Sequence, residues 1–115
     1  EAGASGIVVS NHGGRVLDHC PATAEVLPDI VDAVGGKLTI FVDGAIRSGM
    51  DMFKALALGA GAVLIGRPFV TTVYGGGEEG VQLYVQKLKA ELADTMRMCG
   101  AHSLAEIKRS MLFGF

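Results

Sequence analysis

An α/β fold on a parallel sheet is what this chain predicts, from three observations. Short apolar runs rich in β-branched residues recur at residues 7–9, 38–42 and 62–65. They are apolar on consecutive positions, the pattern of parallel strands covered on both faces. Segments with apolar residues at helical spacing lie between them, and each such segment ends in glycine. Strand, helix, strand, helix, strand in alternation implies crossover connections and a parallel sheet.

The first strand, Ile7-Val8-Val9, runs directly into Ser10-Asn11-His12-Gly13-Gly14-Arg15. A helix over 23–34 follows, with Val26, Leu27, Ile30, Val31 and Val34 on one face. Gly35-Gly36 supplies positive-φ stops that return the chain to the second strand. A helix over 49–58 carries Met52, Phe53, Leu56 and Ala57, and Gly59 ends it before the third strand. Residues 69–74 are long enough for a short extra helix. Gly75-Gly76-Gly77 then breaks the chain before a long helix over 78–98, whose apolar face includes Val81, Tyr84, Val85, Leu88 and Leu92. Ser103 and Glu106 have capping-box spacing and predict a last short helix. No linker or low-complexity segment divides residues 1–115.

Composition narrows the class. Half of the 115 residues are hydrophobic and 19% are charged, with formal net charge -2. Ten Lys and Arg against twelve Asp and Glu leave no cationic surplus for a nucleic-acid backbone. No apolar stretch approaches the roughly 20 residues that span a bilayer. Glu1-Ala2-Gly3-Ala4 has neither the charge nor the apolar run of a signal peptide, so a cytoplasmic protein is expected. Cys20 and Cys99 fit no metal or disulfide spacing and read as reduced, partly buried thiols.

Chemistry concentrates after the strands. In the first loop, glycines remove side-chain bulk beside His12 and Arg15, a base and an anion clamp three residues apart. The loop after the second strand is Asp43-Gly44-Ala45-Ile46-Arg47-Ser48-Gly49, and after the third comes Gly66-Arg67-Pro68. Each places an arginine beside glycine, where backbone N–H groups and the positive end of a following helix face an anion such as phosphate. His19 and His102 lack such surroundings and read as solvated or structural.

These segments, SNHGGRVLD from Ser10, DGAIRSG from Asp43 and IGRP from Ile65, occur in one order together with Pro21-Ala22-Thr23 and the stretch from Lys54 to Ala60. They closely resemble the FMN-dependent 2-hydroxy acid oxidases and dehydrogenases, a family that includes glycolate oxidase, lactate oxidase and the flavin domain of flavocytochrome b2. The resemblance runs from Gly3 to about Lys108. It implies the C-terminal three βα units, strands 6 to 8 with the terminal helices, of an FMN-binding TIM (β/α)8 barrel. By the same resemblance His12 is the catalytic base and, with Arg15, contacts substrate, Arg15 gripping its carboxylate. Asp43 meets the ribityl hydroxyls of FMN. Arg47 and Arg67 hold its phosphate, with help from backbone near Gly44 and Gly66, and Ser10 is a weaker flavin contact.

Three positions depart from the family's common pattern: Val16 where glutamine is frequent, Ala45 where glycine is, and Ser48 where a second arginine is. The family's flavin-side lysine, its substrate-binding tyrosines and the carboxylate beside its histidine belong to earlier strands. A whole barrel needs about 250 residues, so this chain is expected to be an inactive portion of a larger oxidoreductase of a small L-2-hydroxy acid. Two open sheet edges predict self-association, as a homo-oligomer. A flavin-dependent isomerase of an isoprenoid diphosphate would share the phosphate loops without requiring the His12 and Arg15 pair. An inert phosphate-binding module would require no catalytic pair at all.

Overall fold

Three parallel strands form the centre: β1 (Gly6–Val9), β2 (Thr39–Val42) and β3 (Ala62–Val63), in the order β1-β2-β3. The computed structural model describes residues 2–115. Between the strands lie α1 (Thr23–Val34) and α2 (Gly49–Ala57), where the 3.6-residue spacing of apolar positions puts them. Two strand-helix-strand units thus lie side by side, as the alternation predicts. The third strand is shorter than its apolar run, because only Ala62 and Val63 pair with Phe41 and Val42.

Both helices pack on one face of the sheet. Val9, Ile40 and Val42 join Leu27 of α1 and Ala55 of α2 in one core cluster, with Val63 packed against it. The register sets Val9 beside Val42 and Val42 beside Val63, so this row points toward the helices. One residue earlier, Val8, Phe41 and Ala62 form the opposite row. That second face is uncovered, and Val8 is 53% exposed. The expectation of strands covered on both faces is therefore corrected, since the helices among the described residues pack on the first face. The radius of gyration, 15.0 Å, exceeds the roughly 13 Å of a compact domain of this length. An open sheet accounts for the difference.

The last long element, α3 (Arg67–Cys99), starts immediately beyond the third strand and breaks at Gly77, whose φ of 54° and ψ of -136° are not helical. The predicted triple-glycine break is therefore a kink, with helix continuing on both sides. At the front of α2, Gly49 touches α3 so closely that a Cβ there would lie 2.2 Å from Leu92 N and 2.5 Å from Leu88 O. Its N–H donates to Glu91 Oε2 at 2.9 Å. Phe53 and Ala57 of α2 then bury with Ala101 and Ile107 in a second core cluster.

Several local expectations change. Gly35 has φ of -56°, and the positive-φ turn falls instead on Gly36 at 78°, while Gly59 does take one at 107°. Residues 104–106 and 109–111 form single 3-10 turns in place of a short α-helix. The Ser103 side chain makes no capping bond, and Glu106 accepts from the His102 N–H at 2.9 Å. Cys20 and Cys99 are exposed rather than partly buried. No helix among the described residues is long and apolar enough to cross a membrane.

Candidate active site

All three loops that follow the strands open on one cavity of about 660 Å³, lined by residues that include His12, Arg15, Asp43, Gly44, Arg47, Gly66 and Arg67. Strand direction explains the convergence. Parallel strands end on the same side, so their outgoing loops share a rim. Ser10 is absent from the lining and acts one step away. Its hydroxyl donates to Asp43 Oδ2 at 2.8 Å and accepts from the His12 N–H at 3.1 Å, tying the first loop to the second.

The first loop is folded tightly by its own side chains. Asn11 Oδ1 accepts from the Gly13 N–H at 3.1 Å, and Asn11 Nδ2 donates to the Pro21 carbonyl at 3.3 Å. His12 and Gly13 both adopt left-handed backbone, with φ of 56° and 63°. Such a conformation costs a non-glycine residue about 1–2 kcal/mol, so the surrounding bonds must hold His12 in place. Gly13 is glycine for a second reason: a Cβ there would sit 2.1 Å from Arg67 Nη2. That guanidinium donates to the Gly13 carbonyl at 2.9 Å, linking the first and third loops.

In the second loop, Thr23 of α1 donates from its hydroxyl to the Asp43 carbonyl at 2.6 Å. Gly44, at φ of 93°, leaves a prospective Cβ only 3.0 Å from that hydroxyl. Ala45 also takes positive φ, 58°, so an alanine bears a strain that glycine would not. Ser48 caps α2: its hydroxyl accepts from the Asp51 N–H at 3.1 Å, and Asp51 Oδ2 accepts from the Ser48 N–H. The same carboxylate oxygen accepts from the Arg47 N–H at 3.1 Å. The Arg47 carbonyl accepts from the Tyr84 hydroxyl at 2.9 Å.

Charge in the cavity is one-sided. Arg15, Arg47 and Arg67 line it, and none of the ion pairs among the described residues, Asp18 with His19, Lys87 with Glu91 and Asp94 with Arg97, engages them. The N-terminal end of α3 also borders the cavity, with Arg67, Pro68 and Thr71 on its lining, and adds the partial positive charge of a helix start. Against these cations stands Asp43. Its Oδ1 is shut from solvent and has no hydrogen-bond partner. A buried carboxylate oxygen left alone costs about 1–3 kcal/mol or more, so the site calls for a hydroxyl or N–H donor. The cavity is thus shaped for a ligand with donors near Asp43 and an anionic group near Arg47 and Arg67.

The family described as FMN-dependent dehydrogenase matches residues 1–113. This chain belongs to that family. It is 50% identical over 115 residues to an L-lactate oxidase of Roseobacter sp. (strain GAI101), covering all of this chain and 31% of the relative. With glycolate oxidase 5 of Oryza sativa subsp. japonica it shares 51% identity over 110 residues, 96% of this chain and 30% of the relative. A crystal structure of mandelate oxidase with benzoyl-formic acid superimposes with a TM-score of 0.90 at 48% identity, over 93% of this chain and 32% of that one. The chain spans about a third of the length of the relatives it matches. These matches establish the family without placing the chain at the C-terminal end of its relatives.

FMN is the cofactor of the FMN-dependent dehydrogenase family, and the residues here fit it. The unpartnered Asp43 Oδ1 suits a polyol hydroxyl, and the cationic rim suits a phosphate. Sequence reasoning missed Tyr84, Thr71 and Thr72, which line the same cavity. Tyr84 shares its helical spacing with core residues, so the pattern offered no signal for its hydroxyl. His19 and His102 lie outside the lining, as their surroundings predict.

Proposed function

We propose that this chain contributes the catalytic base, the carboxylate clamp and the cofactor phosphate site of a flavoenzyme that oxidises a small L-2-hydroxy acid to the 2-keto acid. One observation carries the reading: His12, Arg15, Asp43, Arg47 and Arg67, from three separate loops, line a single cavity. In the whole protein the bare sheet face becomes the interior of an eight-stranded barrel whose other strands cover both open edges. By itself the 115-residue stretch lacks those strands and is inactive.

FMN, when bound, supplies the two-electron acceptor. Asp43 and the backbone near Gly44 hold its ribityl chain, while Arg47, Arg67 and the first turn of α3 hold its phosphate. The imidazole of His12 removes a proton from the substrate, and the Ser10 hydroxyl fixes the His12 backbone for that task. Arg15 grips the substrate carboxylate with its planar fork, which orients the reacting carbon and offsets negative charge that grows beside it. The guanidinium suits this role, since none of the ion pairs among the described residues engages it.

The test uses the whole flavoprotein. Glycolate or lactate is expected to bleach the bound flavin's absorbance, and His12→Ala to slow that reduction by about 10² to 10⁴ while FMN stays bound. Reduction at an undiminished rate in His12→Ala removes His12 from the chemistry. Failure of several 2-hydroxy acids to reduce the flavin at all removes the substrate class.

A further inference from the structure

Tyr84 lies on α3, yet it bonds to the Arg47 loop and packs against the first turn of its own helix, where Arg67 stands. Its hydroxyl donates to the Arg47 carbonyl at 2.9 Å across 37 residues. Its ring meets Phe69 edge-on, with centroids 5.1 Å apart and planes at 71°. Phe69 stands two residues beyond Arg67 in the first turn of α3. The Arg47 peptide is held at its other end by Asp51, which accepts from the Arg47 N–H. Both main-chain polar groups of Arg47 are therefore occupied by side chains from α2 and α3. Only its guanidinium is left to engage an anion.

We propose that Tyr84 is a positioning residue for the cofactor phosphate, setting the separation between Arg47 and Arg67 by bonding to the first and packing against the helix turn of the second. The inference rests on the reading of these arginines as phosphate ligands. Two guanidinium groups recognise one phosphate only if their backbones keep a fixed spacing, and a rigid ring spends little conformational entropy in keeping it. Burial raises the Tyr84 pKa above 10.0, outweighing Lys87 nearby, so the phenol keeps the proton it donates.

The experiment compares FMN with riboflavin, which lacks the phosphate, for binding to the whole apoprotein by quenching of flavin fluorescence. Tyr84→Phe keeps the ring against Phe69 and removes the hydroxyl alone. It is expected to weaken FMN by roughly two- to tenfold, the worth of one hydrogen bond, and to leave riboflavin unchanged. Tyr84→Leu, which also loses the edge contact, is expected to lower the FMN preference further. An equal loss for both flavins in Tyr84→Phe would mark a general packing role and overturn the proposal, as would no loss for either. Arg47→Ala separates the two levels of inference. If it lowers the FMN preference while Tyr84→Phe does not, the positioning role alone is wrong. If Arg47→Ala leaves the preference intact, the phosphate reading fails and takes Tyr84 with it.

Discussion

A single methyl group at Gly13 tests whether the three loops form one site. Gly13→Ala would put Cβ 2.1 Å from Arg67 Nη2 and 3.1 Å from Arg67 Cζ. The obstacle is the end of a flexible side chain, so the clash is relieved by moving the guanidinium, and little packing energy is lost. The exposed bond from Arg67 to the Gly13 carbonyl is lost but water replaces it, so what counts against stability is the left-handed backbone at φ of 63°, about 1–2 kcal/mol for alanine, less roughly 0.4–1 kcal/mol recovered from a stiffer unfolded chain. The net cost to folding is then about 1 kcal/mol. Ligand binding suffers more. A hydrogen bond to a charged group contributes about 1.5–3 kcal/mol, so losing the proposed contact between Arg67 and the phosphate is expected to raise the Kd for FMN by roughly 10- to 150-fold. Flavin fluorescence quenching in the whole apoprotein gives the Kd, and thermal unfolding of the same apoprotein gives the folding cost. An FMN affinity that survives Gly13→Ala would refute the idea that Arg67 must hold this position to grip the cofactor.

Two further substitutions probe the frame behind the site. Gly49→Ala sets a Cβ against the backbone of Leu88, Glu91 and Leu92, which no rotamer change can relieve; α2 and α3 must separate, at about 3 kcal/mol, and the melting temperature of the whole protein should fall by several degrees. Glu91→Gln tests the acid limb of stability. The Lys87 side chain first, then the Gly49 N–H, hold the Glu91 carboxyl below its ordinary 4.5. That interaction stabilises the fold above about pH 4.5 and is lost as pH falls through the lowered native value. In Glu91→Gln, melting temperature should therefore decline less between pH 6 and pH 3 than in the parent, and an identical slope would count against Glu91.

Sequence reasoning recovers what depends on local period and local turn chemistry. The helix over 23–34 is found to the residue because Leu27, Ile30, Val31 and Val34 repeat at helical spacing and Gly36 turns the chain just beyond. The break at Gly77 is equally local. What sequence does not carry is long-range pairing. Residues 64 and 65 look like strand and are not: the Leu64 N–H still reaches the Val42 carbonyl at 2.9 Å, but the paired register ends at Val42 and Val63. Ser103 and Glu106 have capping-box spacing, yet His102 rather than Ser103 takes the carboxylate. The candidate residues His12, Arg15, Asp43 and Arg67 stood out because each sits next to glycine in a loop that follows a strand. Tyr84 was not, because its partner is 37 residues away, and nothing in a stripe of apolar residues distinguishes a phenol that bonds from one that merely packs.

Solvent accessibility in this chain is a poor guide to tolerance of change. Val8 and Leu64 are 53% and 44% exposed, values at which a polar replacement ordinarily passes without harm. Val8 stands with Phe41 on the side of the sheet away from the helices, and Leu64 lines the cavity just beyond β3. On the proposed barrel, further strands wrap around that side, these positions hold the wall of an interior, and the residues they accept become those of a core. A screen that substitutes Val8 or Phe41 in the complete polypeptide would then find them as intolerant of charge as Val42 or Leu27.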